Sequence, residues 1–151
     1  MSDKTIVILL GNVDFVEPPS SPEAGKLITP DIRERLLANW NIGDGADHAP
    51  VVKFFYPAGS HTWLITEMKP EDPDILFGLC DLGMGFPELG YVSLSELESV
   101  RGIFGLGIER DLYFTARYPL SVYTEAARRA GCIVENDDAL KQAAVTIVQD
   151  L

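Results

Sequence analysis

The sequence contains few of the residues that bind transition metals or form disulfides. Its two cysteines, Cys80 and Cys132, lie far apart, and its two histidines, His48 and His61, fit no zinc-ligand spacing. The sequence also has no D-x-D-x-D-G loop of the kind that binds calcium. We therefore expect no metal and no cofactor, and we expect two reduced thiols that are mostly buried.

Basic residues are scarce as well. The chain has 12 Lys and Arg against 23 Asp and Glu, which gives a net charge of −11. A protein that binds nucleic acid directly needs a basic surface to neutralise the phosphates. The composition therefore argues against direct binding of nucleic acid.

Between residues 70 and 100, basic residues are missing altogether. This stretch has no Lys or Arg and contains seven acidic residues. It is either a hydrated face that favours solubility or a surface that attracts a protein partner with a basic surface. Glu96 fits a helix-capping pattern with Ser93, so other acids are the better contact candidates. These candidates are Glu71, Asp72, Asp74, Glu88 and Glu98.

Long apolar runs are absent too. No stretch approaches the roughly 20 residues that a membrane-spanning helix needs, so we expect no membrane contact. The N-terminal "MSDKTIVILLGNVDF" has only a short apolar segment, preceded by Asp3 and followed by a Gly-Asn turn. This pattern predicts a strand over residues 5–10 rather than a signal peptide, and we expect a cytoplasmic protein.

The elements that are present predict a single domain with additions at both ends. Residues 16–25, "VEPPSSPEAG", form a Pro/Ser linker after the first strand. We divide the chain into an N-terminal strand and linker over residues 1–26, a core domain over 27–131 and a C-terminal helix within 132–151. The first helix of the core should begin at Pro30, with Thr29 as its cap.

The middle of the chain is rich in strand signals. "VVKFFYP" (51–57) and "HTWLITEM" (61–68) flank the short turn "AGS", and "DILFGLCDLG" (74–83) and "YVS" (91–93) follow after further turns. Short connections between consecutive strands indicate antiparallel pairing. We predict an α+β fold with an antiparallel meander sheet of four or five strands and with helices mostly on one face.

Two helices are predicted near the C-terminus. "LSVYTEAARRAG" (120–131) should be capped by Ser121 and end at Gly131, and residues 136–151 should form a helix that begins at Asn136. The last helix carries apolar residues at helical spacing along one side. We expect this stripe to pack on the domain or to join two copies into a homodimer.

Three consecutive charges interrupt the apolar run "GIERDLYF" (107–114). In a strand, alternation would place Arg110 on the apolar face and would place Glu109 and Asp111 on the wetter face. The same alternation along residues 61–67 places Glu67 on the face of Trp63.

A buried arginine needs an acidic partner, and Glu67 is the candidate for Arg110. One interpretation is that this pair only specifies the fold. The other is that Glu67, Arg110 and Asp81 line a polar pocket with a functional role.

The run from "LITPDIRERLLANW" through "ELGYVSLSELESVRG" to "IERDLYF" and "PLSVYTEAARRAG" resembles a bacterial family known as domain of unknown function 2958. The likeness covers about residues 27–131, so residues 1–26 and the last helix look like additions, and Gly107 stands where the family pattern suggests proline. The resemblance implies a small accessory protein encoded on plasmids and integrative elements. It brings no reaction and no catalytic residues.

Two classes of function follow from these observations. The first is a non-enzymatic accessory protein of mobile genetic elements that binds a protein partner. Such a protein could be an acidic antagonist of a host nucleic-acid-binding or defence factor, with carboxylates in the places of phosphates. The alternative is a small enzyme, a hydrolase or a nucleotide-modifying enzyme, with a polar pocket around Glu67 and Arg110.

Overall fold

A computed structural model describes residues 26–43 and 45–151. The helices of these residues are α1 (Pro30–Ile42), α2 (Leu94–Ser99), α3 (Leu120–Ala130) and α4 (Asp137–Gln149), and a 3-10 turn lies at Ile103–Gly105. The strands are β1 (Val52–Phe55), β2 (Thr62–Met68), β3 (Ile75–Asp81), β4 (Glu88–Ser93) and β5 (Glu109–Arg110). No helix in this part of the chain is long and apolar enough to cross a membrane. The predicted N-terminal strand and linker lie outside the described residues.

The strands form one antiparallel sheet in the order β4-β3-β2-β1-β5. β1 to β4 are a meander, because each is joined to the next by a short turn. β5 then returns to pair with β1, so β4 and β5 lie at opposite edges of the sheet. The predicted α+β fold with an antiparallel five-stranded sheet is confirmed, although the strand predicted over residues 107–114 shortens to Glu109–Arg110.

Helices cover both faces of the sheet, so the prediction of helices mostly on one face is wrong. α1 and α2 pack on the first face, where Ile32, Leu36 and Leu97 join Phe54 and other strand residues in one core. α3 and α4 pack on the second face, in a separate core with the strand residues Leu64 and Leu79. Strand alternation explains this arrangement, because the central strands are apolar at successive positions and therefore need cover on both sides.

A β-bulge in β2 decides which face Glu67 occupies. Ile65 lies opposite Gly78, but Glu67 lies opposite Phe77, so Thr66 is the extra residue. The Thr66 hydroxyl donates to the Phe77 carbonyl (3.3 Å), and the Asn39 amide of α1 donates to the Thr66 carbonyl (2.9 Å). Because of this extra residue, Glu67 lies on the second face with Phe77, rather than on the face of Trp63.

The ends of the helices show which capping predictions hold. Thr29 caps α1 by accepting from the Ile32 amide (3.4 Å), and Ser93 caps α2 by accepting from the Glu96 amide (3.2 Å), as predicted. The Ser121 cap is wrong, because α3 begins at Leu120. Instead, the Asp47 carboxylate accepts from both the amide and the hydroxyl of Ser121. The loop between α1 and β1 therefore holds the start of α3.

α4 forms where the C-terminal helix was predicted, with Asn136 at its N-cap position. It packs against α3 through the buried residues Leu140 and Ala143. Val148 and Leu151, further along the predicted apolar stripe, are exposed. The stripe therefore packs on the domain as far as Ile147, and the pairing of two copies through α4 stays a prediction.

Candidate functional site

β4 is an edge strand with one side of its backbone unpaired among the described residues, because it pairs with β3 alone. Edge strands present rows of unsatisfied N–H and C=O groups, so they can accept a strand from another chain. The opposite edge strand, β5, is only two residues long and offers much less backbone for pairing.

Large apolar side chains are exposed on β4 and on the loop before it. Met84 and Phe86 in the β3–β4 loop are 74% and 80% exposed, and Leu89 and Tyr91 on β4 are 50% and 64% exposed. Leu89 and Tyr91 alternate along the strand, so they share one face. An exposed apolar group of this kind is typical of an interaction site.

Exposed acidic residues lie at both ends of β4 and beside it. Glu88 begins the strand, and Glu98 lies on α2, which directly follows the strand and packs against it. Glu71 and Asp72 lie in the β2–β3 turn, next to the end of β4. We call these groups together the β4 surface, which comprises Met84, Phe86, Leu89 and Tyr91 with Glu71, Asp72, Glu88 and Glu98.

Asp74, the fifth acid predicted to contact a partner, instead forms hydrogen bonds within the protein. Its carboxylate accepts from the hydroxyl of Ser93 (2.6 Å) and from the amide (2.7 Å) and hydroxyl (3.0 Å) of Ser95. The Ser93 hydroxyl, followed by the Ser95 amide, lowers the pKa of Asp74 below its usual value. Asp74 therefore holds the start of α2 against the β2–β3 turn.

A pocket opens on the second face of the sheet beside β4. Glu67, Phe77 and Tyr91 form a row across three neighbouring strands, and all three residues line the pocket. Trp40, near the end of α1, and small residues of the following loop complete the lining. The cavity has a volume of about 500 Å³. We call this the Glu67 pocket.

Glu67 also lies beside His48 at the base of the loop between α1 and β1. His48 Nε2 is 3.8 Å from a carboxylate oxygen of Glu67, and both side chains are largely buried. The His48 carbonyl accepts from the Leu120 amide (2.9 Å), so the backbone of His48 is held against the start of α3.

The structure does not bring together the three residues of the predicted polar pocket. Glu67 is on the second face of the sheet, while Arg110 lies opposite Phe54 on the first face. Asp81, at the far end of β3, is only 2% exposed and accepts from the amides of Gly83 and Ile133 (both 2.9 Å). The predicted Glu67–Arg110 pair is wrong because the bulge turns Glu67 to the opposite side.

The charges of "GIERDLYF" instead connect several parts of the fold. Asp111 lies 3.4 Å from the Lys53 ammonium, which also binds Glu135 in the α3–α4 connection. The Thr29 hydroxyl, with a smaller contribution from the charge of Arg110, lowers the pKa of Asp31 in the first turn of α1. Burial raises the pKa of Glu109. Among the described residues, the three charges therefore face different parts of the fold and do not converge on one site.

The chain matches the model of a family described as protein of unknown function (DUF2958) over residues 27–134, which is well over half of its length. The protein belongs to the DUF2958 family. The resemblance seen in the sequence is thus confirmed. No curated protein and no solved structure matches the chain. In this DUF2958 protein the matched residues include the whole β4 surface and the Glu67 pocket and end before α4.

Sequence reasoning missed the apolar half of the β4 surface and the aromatic walls of the Glu67 pocket in this DUF2958 protein. The alternation of Leu89 and Tyr91 indicates a strand with one apolar face, but it does not show that this face is exposed at an edge of the sheet. Nothing local showed that Trp40 would approach Phe77, because helix α1 and strand β3 meet only in the tertiary structure. No cluster of three or more metal-binding side chains occurs within residues 26–43 and 45–151.

Proposed function

We propose that this protein acts by binding a protein partner with a basic surface, and that the β4 surface is where the partner binds. One observation carries the proposal: an edge strand with exposed apolar side chains is surrounded by acids in a stretch that contains no Lys or Arg. The apolar side chains and the β4 edge, which is unpaired among the described residues, supply contact area and backbone hydrogen bonds. The acids supply attraction to a basic partner.

The positions of the charged residues favour binding over catalysis. The enzyme alternative required Glu67, Asp81 and Arg110 to converge on one pocket, and they lie in three separate places. Asp81 is buried and its carboxylate oxygens hold backbone amides, so it is poorly placed to meet a substrate. The β4 surface needs no such convergence.

The proposal extends to a biological role. The family resemblance associates such proteins with plasmids and integrative elements, and we place this protein among their accessory proteins. Its partner would be a host or element protein that normally binds nucleic acid, because such a protein presents the basic surface that carboxylates can occupy. The net charge of −11 supports this role as an acidic antagonist.

The test is an association measurement with a partner captured from host lysate and then purified. We expect the on-rate to fall steeply as salt is added, because exposed charges are screened beyond about 8 Å at physiological ionic strength. Replacing Glu71, Glu88 and Glu98 together by lysine should slow association by about tenfold or more at low salt and change dissociation much less. Asp74 is left intact because it holds α2.

A matched control uses acids away from the β4 surface. Glu34 on α1, Asp138 on α4 and Asp150 at the end of α4 are exposed, so replacing all three by lysine changes the net charge by the same amount without touching β4. The control variant should bind nearly as fast as the wild type. Equal on-rates for wild type and the Glu71, Glu88 and Glu98 variant, or a captured partner whose contact surface is not basic, would refute the proposal.

A further inference from the structure

The Glu67 pocket combines two chemical features that both favour a positive charge. Three aromatic residues, Trp40, Phe77 and Tyr91, line it together with the acidic residue Glu67. Aromatic faces attract cations through their quadrupole, and a carboxylate attracts them by charge and hydrogen bonding.

The site is large enough to admit one side chain of a partner. Its volume is about 500 Å³, within the usual range for ligand pockets. The rings of Phe77 and Tyr91 are 5.1 Å apart between centroids and are tilted by 57°, so they form an angled wall. Glu67 stands next to Phe77 in the same cross-strand row.

We infer that the Glu67 pocket binds an arginine side chain of the protein partner. The planar guanidinium can stack on aromatic faces and can also donate paired N–H groups to a carboxylate. An ammonium is a compact, strongly hydrated charge that uses stacked rings less well. The combination of rings and one carboxylate therefore favours arginine over lysine.

The pocket is continuous with the β4 surface, because Tyr91 belongs to both. The inference rests on the proposed function, since the arginine comes from the same basic partner. The two differ in what they require. The β4 surface needs many charges acting at a distance, whereas the pocket needs one carboxylate and three rings in contact with one guanidinium.

The pocket can be tested without the partner, by using short peptides as probes. We would titrate the full chain with an acetylated and amidated Gly-Arg-Gly peptide, with its lysine analogue and with its citrulline analogue, in which the guanidinium is replaced by a neutral group of the same shape. The chain has two tryptophans, Trp40 in the pocket and Trp63 in the first core. Their indole N–H signals in nitrogen-labelled protein report binding directly, and Trp40→Phe assigns them.

The arginine peptide should move the Trp40 signal in a saturable way and leave the Trp63 signal in place. The citrulline peptide should bind at least tenfold more weakly, and the lysine peptide should fall between the two. Glu67→Gln should weaken binding of the arginine peptide at least tenfold. Because Glu67 also lies near His48, Tyr91→Ala provides a second variant at an exposed position and should weaken binding as well.

Glu71→Gln is the matched control, since it removes one exposed acid outside the pocket. It should leave binding of the arginine peptide within twofold of the wild type. The inference would be overturned if the arginine and citrulline peptides bound equally well, if the lysine peptide bound more tightly, or if the Trp40 signal did not move. It would also be overturned if Glu67→Gln and Glu71→Gln weakened binding of the arginine peptide equally. A salt-insensitive association with the partner would overturn the proposed function without changing these peptide results.

Discussion

At the residue scale, acids that are equivalent in the sequence have different roles in the structure. Asp74 accepts three hydrogen bonds at the start of α2, and Asp81 holds the amide of Ile133 across the second core. Glu88 and Glu98 are exposed on and beside β4. Charge reversals meant to test partner binding must therefore spare Asp74 and Asp81, because their loss would act on folding first.

The two cysteines also differ, and this corrects the expectation that both are mostly buried. Cys80 on β3 is half-buried, and burial raises its pKa to about 11, whereas Cys132 after α3 is exposed. At neutral pH a thiol with such a pKa is ionised in roughly one molecule in ten thousand, and the thiolate is the reactive form. We predict that Ellman's reagent will modify Cys132 quickly in the folded protein and Cys80 only slowly.

The measurement is the time course of nitrothiobenzoate release from Ellman's reagent, with and without denaturant. Cys132→Ser should remove the fast phase in the folded protein, and Cys80→Ser should leave it unchanged. In denaturant, each single variant should release one equivalent of nitrothiobenzoate, and the two rates should be similar. Two equal rates in the folded wild-type protein would contradict the assigned environments.

At the element scale, the bulge in β2 is the feature that shapes the candidate site. It places Glu67 in the row with Phe77, and just before the bulge the backbone of β2 runs very close to Gly78 of β3. A Cβ atom on Gly78 would lie 2.0 Å from the Leu64 carbonyl oxygen and 2.9 Å from the Ile65 Cα. Backbone atoms cannot yield to it as a flexible side chain would.

We predict that Gly78→Ala will lower the free energy of unfolding by about 3 kcal/mol, near the upper end of the usual cost of overpacking. Chemical denaturation monitored by circular dichroism provides the measurement. Gly90, the residue opposite Gly78 on β4, is the matched control, because a Cβ there meets no atom within 4 Å. Gly90→Ala should change the free energy by only about 0.5 kcal/mol. If the two variants lowered the free energy of unfolding by similar amounts, the close approach of β2 to Gly78 would be refuted.

At the scale of the whole molecule, a single lysine links the sheet to both the β5 region and the α3–α4 connection. Lys53 on β1 contacts Asp111 and Glu135, and its side chain is 17% exposed. Burial alone would lower the pKa of Lys53, but the hydrogen bond and charge of Glu135, with those of Asp111, outweigh burial and raise the pKa above 10.5. The network favours the charged lysine in the folded state.

We predict that Lys53→Met will lower the free energy of unfolding by about 1–2 kcal/mol at neutral pH. Since the folded pKa lies above the unfolded value of 10.5, this contribution is fully present below pH 10.5 and is lost as the pH rises through the folded pKa. Urea denaturation at neutral and strongly alkaline pH should therefore show a difference between wild type and variant that narrows at high pH.

Lys141→Met is the control for this prediction. Lys141 pairs with Asp137 on α4, where both side chains are at least half exposed, so the pair should contribute little. If Lys141→Met lowered the free energy of unfolding as much as Lys53→Met does, the charge of Lys53 would not be stabilising the protein. The same conclusion would follow if the difference in free energy between wild type and Lys53→Met widened at alkaline pH.

Local patterns in the sequence were sufficient for much of the fold. Thr29 and Ser93 mark helix starts because a hydroxyl can cap free amides within its own segment, and short turns between apolar runs impose antiparallel pairing. The acidic stretch between residues 70 and 100 was likewise visible directly, because charge is a property of composition. These features depend only on residues close together in the chain.

Only the tertiary structure decided where the distinctive side chains lie. One extra residue at Thr66, held by Asn39 from a distant helix, reverses the face of Glu67 and separates it from Arg110. Strand alternation has a period of two, so a single inserted residue changes every later side-chain direction in the strand. The sequence by itself determined the α+β class, the meander and the acidic stretch, whereas the packing between distant elements created the Glu67 pocket and divided the acids between structural and exposed roles.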